Sequence, residues 1–477
     1  MVLSDGFLVL PLLIAVLYAS VETVSDVYSR KNYQRKIDVD SNVQQPWRGQ
    51  TTLIFALLAV SLGLGNVLRL PYIIGEQGGG AFLLVYVAVL TLVVSPVLIA
   101  ELTLGSLGRS SPMGSIQWVA SLAGRDTRWR WIGALQAILA LSIASLMMVP
   151  AVLGAEASFY LYRGDWDAAS ANDIIDTLSA IDSADHLRVL GVLVALVIVA
   201  ALPGPQVVLF LAGWVILPLI LLMMYAGLGF AFDVGDIAAA NEWIFKYRPE
   251  QLTEAGIFSA ALAALSSLGA GVGVGLVFGS RSPEGLPLVR SVIAVAILDT
   301  AFMLVLAIII VAVTAAVDVE MVQGLALLVV SIPYATANLP TGELFGLVIM
   351  MSILLATVAA LIALIEPMVS ILRREFDVPR LLAMMIVALV LWVSGALMMS
   401  EPLARQTIDT WLVPVLVPFV LGVTALFAVW RVPRPILRGE KYREPFAVFY
   451  VWYVIARWLT PVFCFTLSVL ALLRLVL

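Results

Sequence analysis

TTLIFALLAVSLGLGNVLRLPYIIGEQGGG, residues 51–80, starts as a membrane helix and is interrupted halfway. From Thr51 to the glycines of SLGLGN (61–66) is about 11 residues, roughly 16 Å of helical rise, or half of a hydrocarbon layer about 30 Å thick. Glycine weakens a helix and lets backbone groups face a ligand. A second apolar run, beginning near Ala255, is broken at the same depth by SSLGAGVG (266–273). Unwound backbone within a membrane is tolerated only where protein buries it or it lines a cavity. Close helix packing through small residues is the plainer reading, and it is favoured for Gly271, Gly275 and Gly279. It is weaker for the two clusters together, because each opens a set of five apolar segments. Matching interruptions in two halves point to a substrate site between inverted repeats.

The rest of the chain agrees with a membrane setting. Of 477 residues, 62% are hydrophobic and 12% charged, with a mean hydropathy of +1.05; a soluble domain carries about 25% charge. One cysteine, Cys464, rules out a disulfide framework or a thiolate metal cluster. The single histidine, His186, lies in an acidic stretch. No nucleophile–base set or paired carboxylates stand at a membrane face, so an enzyme is not expected. No organic cofactor is expected either, and no basic block suggests nucleic acid.

Twelve membrane segments are predicted, near 7–21, 51–74, 81–108, 129–161, 187–203, 206–231, 255–280, 288–316, 342–373, 378–399, 406–430 and 446–475. Lys and Arg gather in alternate loops, for example Arg30–Lys36, Arg125–Arg130 and Arg431–Arg443, while Asp165–Asp185 lies in an opposite one. That asymmetry places both termini outside and residues 26–50 in the cytoplasm. The expected organisation is an N-terminal anchor at 1–25, a cytoplasmic linker at 26–50 and five-helix repeats at 51–231 and 232–430. An external hairpin is expected near 318–338, and a cytoplasmic loop and final helix at 431–477. The fold class is an all-α polytopic membrane protein, a 5+5 inverted-repeat bundle with broken first and sixth core helices, one extra helix before it and one after. The expected location is a bacterial cytoplasmic (inner) membrane.

GLGNVLRLPYIIGEQGGGAFLLVY (63–86) and AELTLG (100–105) closely resemble the first- and second-helix signatures of the neurotransmitter:sodium symporter family. The likeness continues through WRWIG (129–133), SLGAGVG (267–273), LDT (298–300), GLALLVVSIP (324–333), EPM (366–368) and IDTW (408–411). Symporters of this family are themselves type examples of a substrate site held between broken helices of inverted repeats. The resemblance implies one sodium site at Ser61, Asn66, Ser267 and Asp299. Oxygen ligands suit a hard cation, and an ionisable residue inside a membrane segment marks function by default; pairing of Asp299 with a hydroxyl is the blander alternative. The carboxylate would also supply the charge that chloride brings in some relatives. The resemblance further implies a substrate site lined by Ser61, Leu64, Gly65, Met147, Ser266, Ser267, Gly269, Val272 and Leu364. Amides near Leu64 and Gly65 would meet a substrate carboxylate, Arg69 and Asp409 would close the outer vestibule, and Glu76 and Glu101 fit structural positions.

Several family positions have changed. The helix-3 tyrosine that bonds the substrate falls on Met147, and two helix-6 aromatics fall on Ser266 and Val272. The hydroxyl pair of a second sodium site falls on Ala359 and Ala360, leaving only carbonyls near Ala59, Leu62 and Ala356, so that site is expected to be lost. At the inner gate the family arginine aligns with Gln44 and its acidic partner with Arg374, while Glu366 lies nearby, either as a proton carrier or paired with a basic neighbour. Two readings stay open. One is a secondary transporter of an amino acid or related organic solute, using one sodium or a proton. The other is a transport-deficient scaffold, sensor or subunit, with the extra N-terminal helix as a docking surface for a membrane-protein partner. Lipid is a partner in either case.

Overall fold

Two helices of the chain stop at mid-length, and the remainder is arranged around those stops. The computed structural model describes residues 49–63, 68–204, 210–283, 285–318, 322–438 and 444–476. The anchor expected at 7–21 and nearly all of the linker at 26–50 lie outside them, as does the Gln44 assigned to the inner gate.

The first broken helix consists of α1 (Gln50–Ser61) and α2 (Leu70–Glu76). α1 closes with the Leu62 amide donating to the Leu58 carbonyl, and Gly63 follows. α2 carries Pro71 in its first turn, where a missing N–H costs no helical bond. Next come α3 (Gly80–Gly108), α4 (Thr127–Arg163), α5 (Ser183–Ala201) and α6 (Ala212–Val234), each long and apolar enough to cross a membrane. The second broken helix consists of α7 (Glu254–Leu265) and α8 (Val274–Arg281). Thr253 caps α7 by accepting the Gly256 amide. Five further helices are α9 (Leu288–Ala315), the short α10 (Leu327–Ala337), α11 (Gly342–Glu375), α12 (Arg380–Ser400) and α13 (Pro402–Arg431), followed by α14 (Phe446–Leu475). Eleven of the twelve predicted segments therefore fall on described residues, two of them as broken helices.

Burial sorts these elements. Of the most hydrophobic window of α11, 78% is buried, and of α4, 67%; for α5 the share is 28%. α11 and α4 therefore lie at the centre of the bundle, and α5 keeps most of its apolar surface exposed. Backbone-close packing joins α3 to α8. A Cβ on Gly105 would stand 2.2 Å from the Leu276 carbonyl, and one on Gly279 would stand 2.2 Å from that of Leu102. A side chain at either point would force the helices apart. Gly275 likewise faces the Glu101 side chain. Gly271, expected to serve packing, does something else: its φ of +78° places it in the turn between α7 and α8. The hairpin region reaches the first broken helix, where the Gly324 amide donates to the Leu68 carbonyl at 2.8 Å.

Candidate functional site

The break between α7 and α8 is a run of left-handed backbone. Leu268, Gly269, Gly271 and Gly273 have φ of +50°, +62°, +78° and +74°. Glycine takes this conformation freely, whereas a leucine there costs about 1–2 kcal/mol. The turn is braced from α3: Oε1 of the fully buried Glu101 accepts the Gly271 amide at 3.0 Å and the Gln136 side-chain amide at 2.7 Å. Gln136 also donates to Thr424 Oγ1 of α13 at 2.8 Å. Glu101, expected to be structural, thus ties the unwound turn to three helices; Glu76 is exposed at the end of α2.

Next to this turn lies a buried polar cluster. Ser267 Oγ donates to Asp299 Oδ2 at 2.7 Å, and both residues are buried. Asp299 Oδ1 is buried and makes no hydrogen bond of normal geometry among the described residues. Ser61, the last residue of α1, is in electrostatic contact with the same carboxylate, although its hydroxyl donates to the Leu58 carbonyl at 2.8 Å. The buried Tyr86 hydroxyl of α3 faces Ser267 and Asp299, and among the described residues it makes no hydrogen bond of normal geometry. Buried polar atoms are normally paired, so unused oxygens around one carboxylate fit a cation. Hydroxyl and carboxylate oxygens are the donors of a hard cation, and among the described residues no group of three or more His, Cys, Asp and Glu forms a softer metal site.

Asn66, Leu64 and Gly65 lie outside the described residues. Of the other substrate-site residues, Met147 is 9% exposed, Leu364 5% and Val272 3%, while Gly269 is half-buried. A Cβ on Gly63 would meet Met147 Cε at 2.7 Å and Ala360 Cβ at 3.5 Å, so the methionine packs against the end of α1 beside α11. A Cβ on Gly269 would meet Val60 at 3.0 Å. Ser266 is exposed and its hydroxyl turns back to the Leu262 carbonyl. Above them, Arg69 Nη2 and Asp409 Oδ2 are 2.5 Å apart, with about half and a third of their side chains exposed (46% and 38%).

Among the described residues, the opposite flank of α1 is lined by an apolar group. Ala59, Ala212 and Ala359 form a buried group joined by Ile216, so α1 meets α6 and α11 there through methyls. At the far end of α11, Glu366 pairs with Arg380 at 2.5 Å. Arg374 is instead directed at the Arg109 carbonyl and Ser110 Oγ.

Tyr86, Gln136 and Thr424 belong to these clusters without having been singled out in the sequence. Tyr86 carried a signal nonetheless, since a tyrosine hydroxyl in an apolar helix needs a partner.

The sequence model of the Sodium:neurotransmitter symporter family matches residues 44–164. An uncharacterized sodium-dependent transporter of Methanocaldococcus jannaschii is 23% identical over 429 residues, 84% of each chain. The sodium-dependent neutral amino acid transporter B(0)AT2 of Mus musculus is 31% identical over 104 residues, which are 22% of this chain and 14% of the mouse protein. Among solved structures, MhsT in complex with L-phenylalanine matches with a TM-score of 0.79 and 22% identity, over 90% of this chain and 99% of that one. The last comparison establishes a shared fold.

Proposed function

We propose that the chain is a member of the sodium:neurotransmitter symporter family, whose model matches residues 44–164, and a secondary transporter that carries a small organic solute with one sodium ion. The observation that carries this reading is the buried Asp299 carboxylate, one oxygen of which makes no hydrogen bond of normal geometry among the described residues, with Ser61, Ser267 and Tyr86 around it. An ion there would join the end of α1, the unwound turn after α7 and the middle of α9, with Asn66 completing the ligand set. Its charge would offset that of a carboxylate otherwise costly to bury.

The solute would lie between the two breaks, in contact with Ser61, Met147, Ser266, Ser267, Gly269, Val272 and Leu364, with its acid group at the amides near Leu64 and Gly65. An amino acid or derivative is the class suggested by the neutral amino acid transporters among the relatives. Met147 removes the hydroxyl donor expected from a tyrosine, so a small zwitterion such as leucine or alanine would bind weakly. Arg69 and Asp409 would close the path from outside. The cell location proposed is a bacterial inner membrane, with residues 26–50 cytoplasmic.

The second sodium site is proposed to be lost. The methyl cluster of Ala59, Ala212 and Ala359 supports this, because sodium must exchange its water for oxygens and the side chains there offer none. The same observation supports the second reading, a scaffold or subunit in which α1 no longer cycles. Solute uptake into proteoliposomes separates them. A transporter accumulates solute under a sodium gradient and loses that accumulation in Asp299→Ala; a scaffold accumulates nothing under any ion gradient.

A further inference from the structure

Five arginines gather where α3, α8 and α11 end and α12 begins, on the face that the Lys/Arg asymmetry assigns to the cytoplasm. Arg281 is the last residue of α8 and is half-buried. Its Nε is shut off from solvent and has no hydrogen-bond partner. Among the described residues, the charges acting on it are Glu366 and three further cations, Arg373, Arg374 and Arg380. The one carboxylate among these is already engaged: Arg380 approaches Glu366 with two nitrogens, at 2.5 and 3.5 Å, and gives a further bond to the Ala201 carbonyl at 2.7 Å. Glu375, close in sequence, accepts from Ser111 Oγ at 2.7 Å. Arg109 lies at the rim, directed at the Ser282 carbonyl.

A guanidinium does not shed its proton in a protein, so Arg281 cannot relieve its burial by neutralising. An enclosed cation among like charges is costly unless an anion joins it. The planar donor forks of arginine match carboxylate and phosphate oxygens. We propose that the arginine cluster centred on Arg281 is an oxoanion site that takes a phosphate or carboxylate group on the cytoplasmic face. The group has two sources, a dissolved anion or the headgroup of an acidic lipid in the adjoining leaflet. The site is separate from the Asp299 cluster and does not depend on the chain being a transporter.

The test is thermal unfolding of the full chain in phosphatidylcholine nanodiscs, with inorganic phosphate compared with chloride at equal ionic strength and sodium. Phosphate should raise Tm by about 2–4 °C more than chloride does. Arg281→Gln should abolish that difference, and Arg281→Lys, which keeps charge but not the fork, should reduce it. In nanodiscs containing phosphatidylglycerol, a rise that depends on Arg281 without phosphate assigns the site to lipid. A rise with phosphate alone assigns it to a dissolved anion. Equal shifts in wild type and Arg281→Gln, or no shift with either source, overturn the proposal. If the glutamine variant does not fold, a wild type that shows no rise with phosphate over chloride and none with phosphatidylglycerol over phosphatidylcholine overturns it alone.

Discussion

On one flank of α1, Ser61 meets Asp299, which Ser267 and Tyr86 also face; on the other, Ala59 meets Ala359 and Ala212. The two clusters share a helix and differ in what holds that helix in place. At the first, in the function proposed above, oxygens around a carboxylate would leave α1 sensitive to a cation, because that charge needs a partner. At the second, methyl contacts provide the same packing whatever ion is present. A helix fastened by one cation site and one dry contact should respond to sodium with a single step, and each prediction below tests one side of this contrast.

The largest effect is expected at the polar flank. Sodium at one hundred times its Kd would stabilise the native state by about 2.7 kcal/mol, and Asp299→Ala should remove all of it, as read by differential scanning of Tm against sodium. An unchanged shift would place the ion elsewhere. The next concerns the pocket between the flanks. Met147→Tyr would return a hydroxyl where Met147 now packs on Gly63, and one hydrogen bond of about 1–1.5 kcal/mol should tighten leucine or alanine about tenfold by calorimetry. Micromolar binding of either by the unaltered chain would show that another group already serves the acid.

A smaller effect is expected from converting the dry flank. Ala359→Thr with Ala360→Ser should make uptake steeper in sodium. Without sodium, stability should change by only about 1 kcal/mol, since a helical hydroxyl can turn to the preceding turn, as Thr357 does to the Ile353 carbonyl at 2.8 Å. In a scaffold the double change would leave every ion response flat. The smallest stability effect belongs to the rim. Arg69→Gln breaks a half-exposed pair of about 0–1 kcal/mol, so Tm should hardly move while uptake kinetics change.

Much of this contrast was legible in the sequence. Glycines inside apolar runs located both breaks, because few other residues tolerate the left-handed turn at 269–273, and the serines at 61 and 267 do converge on Asp299. The alanine at 359 was legible as a side chain without oxygen, and it packs among methyls. Partners far apart in the chain were not legible. Nothing local tells that Glu101 braces Gly271 through a contact 170 positions away, nor that Tyr86 points at the carboxylate instead of lipid. Glu366 had two readings in the sequence, and its pairing with Arg380 depended on how the turn after α11 folds. Gly271 was misassigned because small-residue spacing looks alike in a packed helix and in an unwound one.

Counting bound sodium tests the central claim most directly. Equilibrium binding of radiolabelled sodium to the purified chain, with saturating solute, should give one ion per chain with a Hill coefficient near one, and none in Asp299→Ala. Two ions per chain, or one that survives in Asp299→Ala, would contradict the account.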